Sequence, residues 1–570
     1  MPSIRAHSSS ERTHNMAKRQ REDDDVIEVT AKRSKLSKSD RLSTLSDELN
    51  VKVLSYLPVQ QLLACGRLST KFAQLANDSQ LWKEHYYNTF VRPRASRLPG
   101  IRNGNDNKLH FSSKAAKWLN EDHLVQNQDK TDWKRQYKLR HNWSKGACAL
   151  SEVPVAEQTS VPPILVQMHG KVIYTADLAN GLRAWAARDK RKMLASADLA
   201  CAEGSTPPTS LTVNTASETQ GCKIAIGFED GSFAIYELSA DAKDLRCLYT
   251  HAPSTNGVVQ SIALRWPYAV TLTATQVLSL YKFTDPVESQ TTLKDPGLLQ
   301  SIKSHTAWPP LTTALRVFSH EIVVSLAFSQ PTYLSGWTVA IQEFRLALDG
   351  TMRKTRRVSG IDQHYRPVAF GIHPVVPHLF SPSAGGGMGS RIEPRQIHSK
   401  PTSLSYTHPY LLSSHSDNTL TLYLVHSDPE VMHIGAGTRL WGHTSAVSGV
   451  HVGGYGKAVS VSARGDELRV WELEGGFGSA VGQRKLAEGD MSVRIVPEKV
   501  SVTSAAETQV GLDLVHETQD EEVTETKQQT LEDENELTLT RGWIGFDEEN
   551  VVLLKENSRG KQALAFYDFT

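Results

Sequence analysis

Leu45-Ser-Asp-Glu-Leu49-Asn-Val-Lys-Val53-Leu54-Ser-Tyr-Leu57-Pro58 is the stretch whose reading decides the fold. Leu45, Leu49, Val53, Leu54 and Leu57 recur at helical spacing, which predicts a short amphipathic helix with an apolar side in need of a cover. Ser46 is placed to cap its first turn, and Asp47 and Glu48 put negative charge where free amides favour it. Pro58 is expected to stop the helix at Leu57. A second helical pattern restarts at Val59 and runs through Leu62, Leu63 and Leu68. It continues through Phe72, Leu75, Ala76, Leu81 and Trp82 to Tyr86 and Tyr87. Three small helices in about forty-five residues lie near the lower limit of independent stability. A miniature bundle packed only on its own chain is the plain alternative.

The order of residues favours a more specific reading. Leu45-Ser-Asp-Glu-Leu49, Leu54-Ser-Tyr-Leu57-Pro58, Leu62-Leu63, Arg67-Leu68-Ser69, Phe72, Leu75 and Asp78-Ser-Gln-Leu81-Trp82 together resemble the F-box. That module docks a substrate receptor onto the Skp-family adaptor of a cullin-RING ubiquitin ligase. The resemblance covers nearly the whole motif. It implies that Leu45, Leu49, Leu54, Leu57, Leu62 and Leu68 carry adaptor contacts or the packing that presents them. Ser46 stands where the family usually has proline, which removes first-turn preorganisation. Phe72 stands where it often has tryptophan and still supplies an aromatic wedge.

At 570 residues the chain is too long for one compact core and should hold two or more units. A formal charge of +1 argues against a general nucleic-acid-binding surface, which needs a dense basic field. Cys65, Cys148, Cys201, Cys222 and Cys247 have no metal-ligand spacing and read as reduced thiols, not a disulfide framework. No apolar run nears membrane-spanning length and no secretory leader is visible, so a soluble, intracellular protein is expected, with no membrane partner.

Residues 1–40 are polar and charged and are expected to be disordered. Within them Lys18-Arg19 and Lys32-Arg33-Ser-Lys35 resemble a two-cluster nuclear import signal, which implies nuclear as well as cytoplasmic residence. A solvated charged tail is the alternative. Val26, Ile27 and Val29 follow an acidic run and look like a SUMO-interacting segment that would add a strand to a partner's sheet.

Residues 41–90 are read as the F-box domain and 91–146 as a helical linker. Trp133 and Tyr137, four apart, should share a helix face. Trp133-Lys-Arg-Gln-Tyr137 followed by Asn142-Trp143-Ser-Lys-Gly146 resembles the join between an F-box and a WD-repeat domain, a join that can act as a rigid spacer.

From residue 147 onward the period changes to short strands broken by tight turns. Units are read at 166–185, 223–238, 258–283, 321–344, 404–423, 442–472 and 542–569, and the recurrence points to a repeat architecture. The clearest begins with Gly442-His443 and ends with Trp471-Glu472, which closely resembles a WD repeat. By that resemblance His443 and turn aspartates such as Asp230 and Asp417 lock strands together, with Trp471 closing its unit. Asp466 sits one residue closer to its aromatic than Asp230 and Asp417 do, which leaves its place in such a lock open.

The expected fold is therefore multidomain: a small all-α F-box domain followed by an all-β propeller over 147–570, seven-bladed, similar to fungal-like F-box/WD-repeat proteins. The last unit offers three strands, and a strand at about 147–155 supplies the fourth and closes the ring. Six or eight blades are the alternatives. Insertions are read near 381–400 and 497–540, including a glycine-rich stretch at 381–389 and an acidic one at 517–536.

No constellation supports catalysis, a metal or a cofactor. Carboxylate runs fall in expected disorder, His305, His320, His364 and His373 lack ligand spacing, and no cysteine has a local base. The resemblance implies a substrate-recognition subunit of an SCF-type ligase that meets cullin and RING protein through the adaptor. A non-proteolytic F-box scaffold and a structural or chromatin-associated binder are the alternatives. For the protein substrate, Arg353, Arg356 and Arg357 invite two readings. They form either a solubilising loop or a guanidinium cluster for a phosphorylated segment.

Overall fold

The computed structural model describes residues 42, 45–92, 131–360 and 399–570, apart from 189–190, 200–205, 216–220, 285–292, 305, 333–335, 454–455, 474–491, 498–537 and 558. The basic clusters at 18–35, the segment with Val26, Ile27 and Val29, residues 93–130 of the expected helical linker, and the stretches 381–389 and 517–536 lie outside the described residues. The chain divides between Asp78 and Ser79 into two compact units.

The first holds α1 (Asp47–Leu54), α2 (Val59–Cys65) and α3 (Thr70–Ala76). α1 ends three residues earlier than Pro58 alone suggests, with Ser55 at its C-cap. Ser46 occupies the N-cap but its side chain caps nothing, contrary to expectation. Ser69 does cap α3, accepting from the Phe72 amide at 3.2 Å. α3 packs on both α1 and α2, and Leu54, Leu62, Phe72 and Ala76 are buried.

The second compact unit opens with α4 (Ser79–Tyr86), whose end widens into a π-helical turn, Tyr87–Val91. Residues 59–87 thus form three helices where a continuing pattern suggested two. α5 (Trp133–Lys145) starts at Asp132, which accepts from the Arg135 amide at 3.0 Å. It ends at Gly146, whose φ of +70° suits glycine. A Cβ there would collide with the Arg494 carbonyl.

The strands form antiparallel quartets at 165–197, 208–251, 259–303, 308–359 and 403–440, the last with its outer strand split between Met432–Ile434 and Thr438–Leu440. An eight-stranded sheet contains two further quartets, 447–497 and 538–568, the latter completed by Ala147–Ala156. That strand pairs antiparallel with Gln562–Asp568 over most of its length, and its first two residues pair parallel with Ser492–Pro497. The innermost strand of each quartet touches that of the next, and the seventh touches the first. The described residues therefore close into a ring of seven four-stranded units. Middle strands are buried along most of their length, as in Ile322–Pro331, because they are covered on both faces. The core lies between successive units, for example where Val459, Val461 and Leu468 meet Val551 and Leu553.

Candidate functional site

In the first compact unit the six leucines of the motif separate by environment. Leu54 is 3 % exposed and Leu62 fully buried, so both belong to the helical core and cannot touch a partner. Leu57 is half-buried. Leu45, Leu49 and Leu68 are 37 %, 55 % and 72 % exposed. Val53 and Tyr56, which sequence reasoning did not single out as contacts, are 47 % and 76 % exposed. Leu49 and Val53, four apart, share the side of α1 away from Leu54, and exposed Leu45 and Tyr56 flank the two ends of the helix. The result is an uncovered apolar stripe, and Leu63 and Leu68 are exposed as well. Lys52 lies over the Tyr56 ring at 5.1 Å.

α4 is held by aromatic contacts with α5. Trp82 meets Tyr137 edge-on at 5.5 Å, Tyr86 meets Trp133 at 5.5 Å, and Phe90 meets Tyr137 at 5.2 Å. Tyr137 and Trp133 thus use the one face that their spacing suggested. α5 in turn sits on the ring. Trp143 stacks on Phe569 at 4.0 Å and donates to the Glu548 carbonyl at 2.8 Å. Asn142 donates to the Phe569 carbonyl at 2.8 Å, and Arg135 pairs with Glu549 at 3.3 Å.

Within the sixth unit His443 Nε2 lies 2.6 Å from Ser460 Oγ, which also accepts from Trp471 Nε1 at 2.8 Å. Burial pushes the His443 pKa down to about 4, outweighing the pull of Glu467. The imidazole, held neutral and bonded to Ser460, ties the start of the unit to its second strand. The acid of this unit is Glu467, and Asp466 instead accepts from Ser462. Glu467 accepts from the Thr444 amide and hydroxyl at 2.8 Å each and from Arg469 at 2.8 Å. Burial pushes its carboxyl up, but those bonds outweigh it and bring the pKa to about 2. Trp185 repeats the device in the first unit, donating to Thr175 at 2.9 Å. A hydroxyl one strand before each closing tryptophan was the available signal. Asp230 serves its own turn, accepting from the Ser232 amide and hydroxyl. Asp417 accepts from Thr419 and pairs with Arg439.

Arg353, Arg356 and Arg357 do not converge. They lie in the outer strand Met352–Ser359, not in a loop, and strand alternation sends Arg353 and Arg357 to one side and Arg356 to the other. Arg356 donates to Glu343 at 2.5 Å and to the Asp428 carbonyl at 2.7 Å. Glu343 also receives Arg345, Arg316 and the Ser427 hydroxyl. Burial pushes Glu343 up, and these bonds outweigh it and hold it below its ordinary value. Arg357 donates to Gln330 at 2.9 Å and lies over Phe328. The guanidinium cluster for a phosphorylated segment is therefore not formed, because strand geometry separates the groups and one is consumed internally.

Residues 148–570 match the family model described as the F-box protein pof12 beta-propeller, and residues 44–88 match the F-box-like model. The F-box protein dre-1 of Caenorhabditis elegans is 43 % identical over 51 residues, which are 9 % of this chain and 5 % of that protein. The chain thus spans only a small part of that curated relative. The WD40 beta propeller domain of Doa1 aligns at 11 % identity with a TM-score of 0.31, covering 73 % of this chain and 95 % of that one.

Proposed function

The chain belongs to the F-box protein pof12 beta-propeller family, matched over 148–570, and on that premise we propose that it is the substrate-recognition subunit of an SCF-type ubiquitin ligase. The carrying observation is the uncovered apolar stripe of Leu45, Leu49, Val53 and Tyr56 within the F-box-like segment. A small helical unit that leaves such a stripe in water gains free energy when a partner covers it. The Skp-family adaptor is that partner, and cullin and RING protein join through it. Leu54 and Leu62 act indirectly, by holding α1 and α2 against α3.

The ring binds the protein to be modified. Its internal ties, His443 with Ser460 and Trp471 and the Glu343 cluster, serve rigidity and not chemistry. The chain's part in transfer is to raise the local concentration of bound protein beside the conjugating enzyme and to orient it. The cysteine that carries ubiquitin and the RING metals belong to other subunits. Residues 18–35 direct a share of the protein to the nucleus, and a cargo fused to 1–40 that stays cytoplasmic would refute that. For the central reading, the purified chain is mixed with Skp-family adaptor and resolved by size. Co-elution supports docking, and separate elution of a folded chain removes it.

A further inference from the structure

We propose that Glu549, Trp143 and Phe569 are positioning residues that make α5 a clasp across the closure of the ring, so that the helix whose contacts hold the ring shut is also the one that holds α4. Glu549 lies in the turn joining the first two strands of the seventh unit. Its nearly buried carboxylate receives Arg135 from α5 and Arg188 from the first unit. One carboxylate thus joins the helix, the last unit and the first. Its turn is braced by Asp547, which accepts from the Glu549 amide at 2.7 Å and the Asn550 amide at 2.6 Å.

The second tie uses the same turn. Trp143 donates to Glu548 and stacks on Phe569, while the Phe569 amide donates to the Glu549 carbonyl at 2.9 Å. The third reaches the sixth unit, where the Val496 amide donates to Gly146 at 2.8 Å. Gly146 is the single residue between α5 and the closing strand Ala147–Ala156. Helix and closing strand therefore share neighbours on the sixth and seventh units, Glu549 carries the link on to the first, and elements that share contacts open together. α4 is bound into the same assembly through Trp82, Tyr86 and Phe90. By thermodynamic reciprocity, whatever stabilises the closed ring also steadies α4, and the reverse.

The bearing on ubiquitin transfer rests on the receptor reading, whereas the clasp itself does not. Amide hydrogen exchange of the full chain tests it, comparing the unaltered protein with Glu549→Gln and Phe569→Leu. Exchange at 79–91, 133–145 and 147–156 is expected to rise together by about tenfold, while 222–238 stays unchanged. Arg135→Gln changes a half-exposed side chain that cannot unfold the ring, and it should give a smaller rise in the same segments. Loosening of 133–145 with no change at 147–156, no change in any variant, or an equal rise at 222–238 would each overturn the clasp. A chain that binds no Skp-family adaptor yet shows the joint loosening would remove the receptor reading and leave the clasp standing.

Discussion

Replacing Leu49 and Val53 together by glutamate separates docking from folding. Both side chains are about half exposed in the free chain. Full burial of such a side chain contributes about 1.5–3 kcal/mol, so covering the exposed half of each contributes about 1 kcal/mol. A carboxylate in either place must lose its water against an apolar partner, at a further ~2 kcal/mol apiece. The combined loss of about 6 kcal/mol weakens adaptor binding by roughly four orders of magnitude. In the free chain the glutamates stay solvated and shift stability by only about 0.5 kcal/mol each. Leu54→Ala is the control of opposite kind, because it opens a cavity in the core at about 2–5 kcal/mol. In so small a helical unit that is enough to melt it. Titration calorimetry with purified adaptor reads the first effect and circular dichroism the second. A folded Leu49→Glu, Val53→Glu chain that binds adaptor as before would refute the stripe as the docking surface.

Ser460→Ala leaves Trp471 Nε1 and His443 Nε2 buried without their partner and should destabilise the ring by about 2–4 kcal/mol, read as a lower denaturation midpoint. Arg356→Ala removes one of the donors to buried Glu343 and should cost about 1–3 kcal/mol. Exposed Arg353→Ala should change stability by less than about 0.5 kcal/mol, and equal effects would contradict the alternation of that strand. Burial lowers His408, His443 and His451 to about 4, so the unfolded chain takes up their protons first. Their contribution is fully present above pH 6.5 and is lost as the pH falls toward 4. Asp547 works the other way, because burial raises its carboxyl to about 6 and its contribution is lost as the pH rises through 6. Three histidines outweigh one aspartate, so the melting temperature should drop between pH 7 and pH 5. A flat profile would show that the three imidazoles are not held neutral.

Much of the architecture was legible because it rests on period. The shift from a helical to a two-residue repeat at Ala147 and the aromatic closing many units locate the strands, and the missing fourth strand of the last unit points to Ala147–Ala156. The side on which a leucine lies was less legible. In a helix as short as α1, Val53 and Leu54 are adjacent and equally apolar, and only packing on α3 sends Leu54 inward. Asp466 drew notice because aspartate is the expected turn acid, yet Glu467, one residue on and one methylene longer, reaches Thr444. The arginine run looked like a loop by charge, because an outer strand has an exposed edge that tolerates charge. Glu549 and Phe569 gave no local signal, since their partners on α5 lie more than four hundred residues away in sequence.

The most direct test of receptor function is reconstitution of the full chain with Skp-family adaptor, cullin, RING protein and the ubiquitin-activating and -conjugating enzymes, using a protein captured on the ring as acceptor. The expected result is ubiquitin transfer to the captured protein that requires both the adaptor and the Leu49–Val53 stripe. Transfer that is unchanged when the adaptor is left out, or a folded chain that never enters the complex, would contradict it.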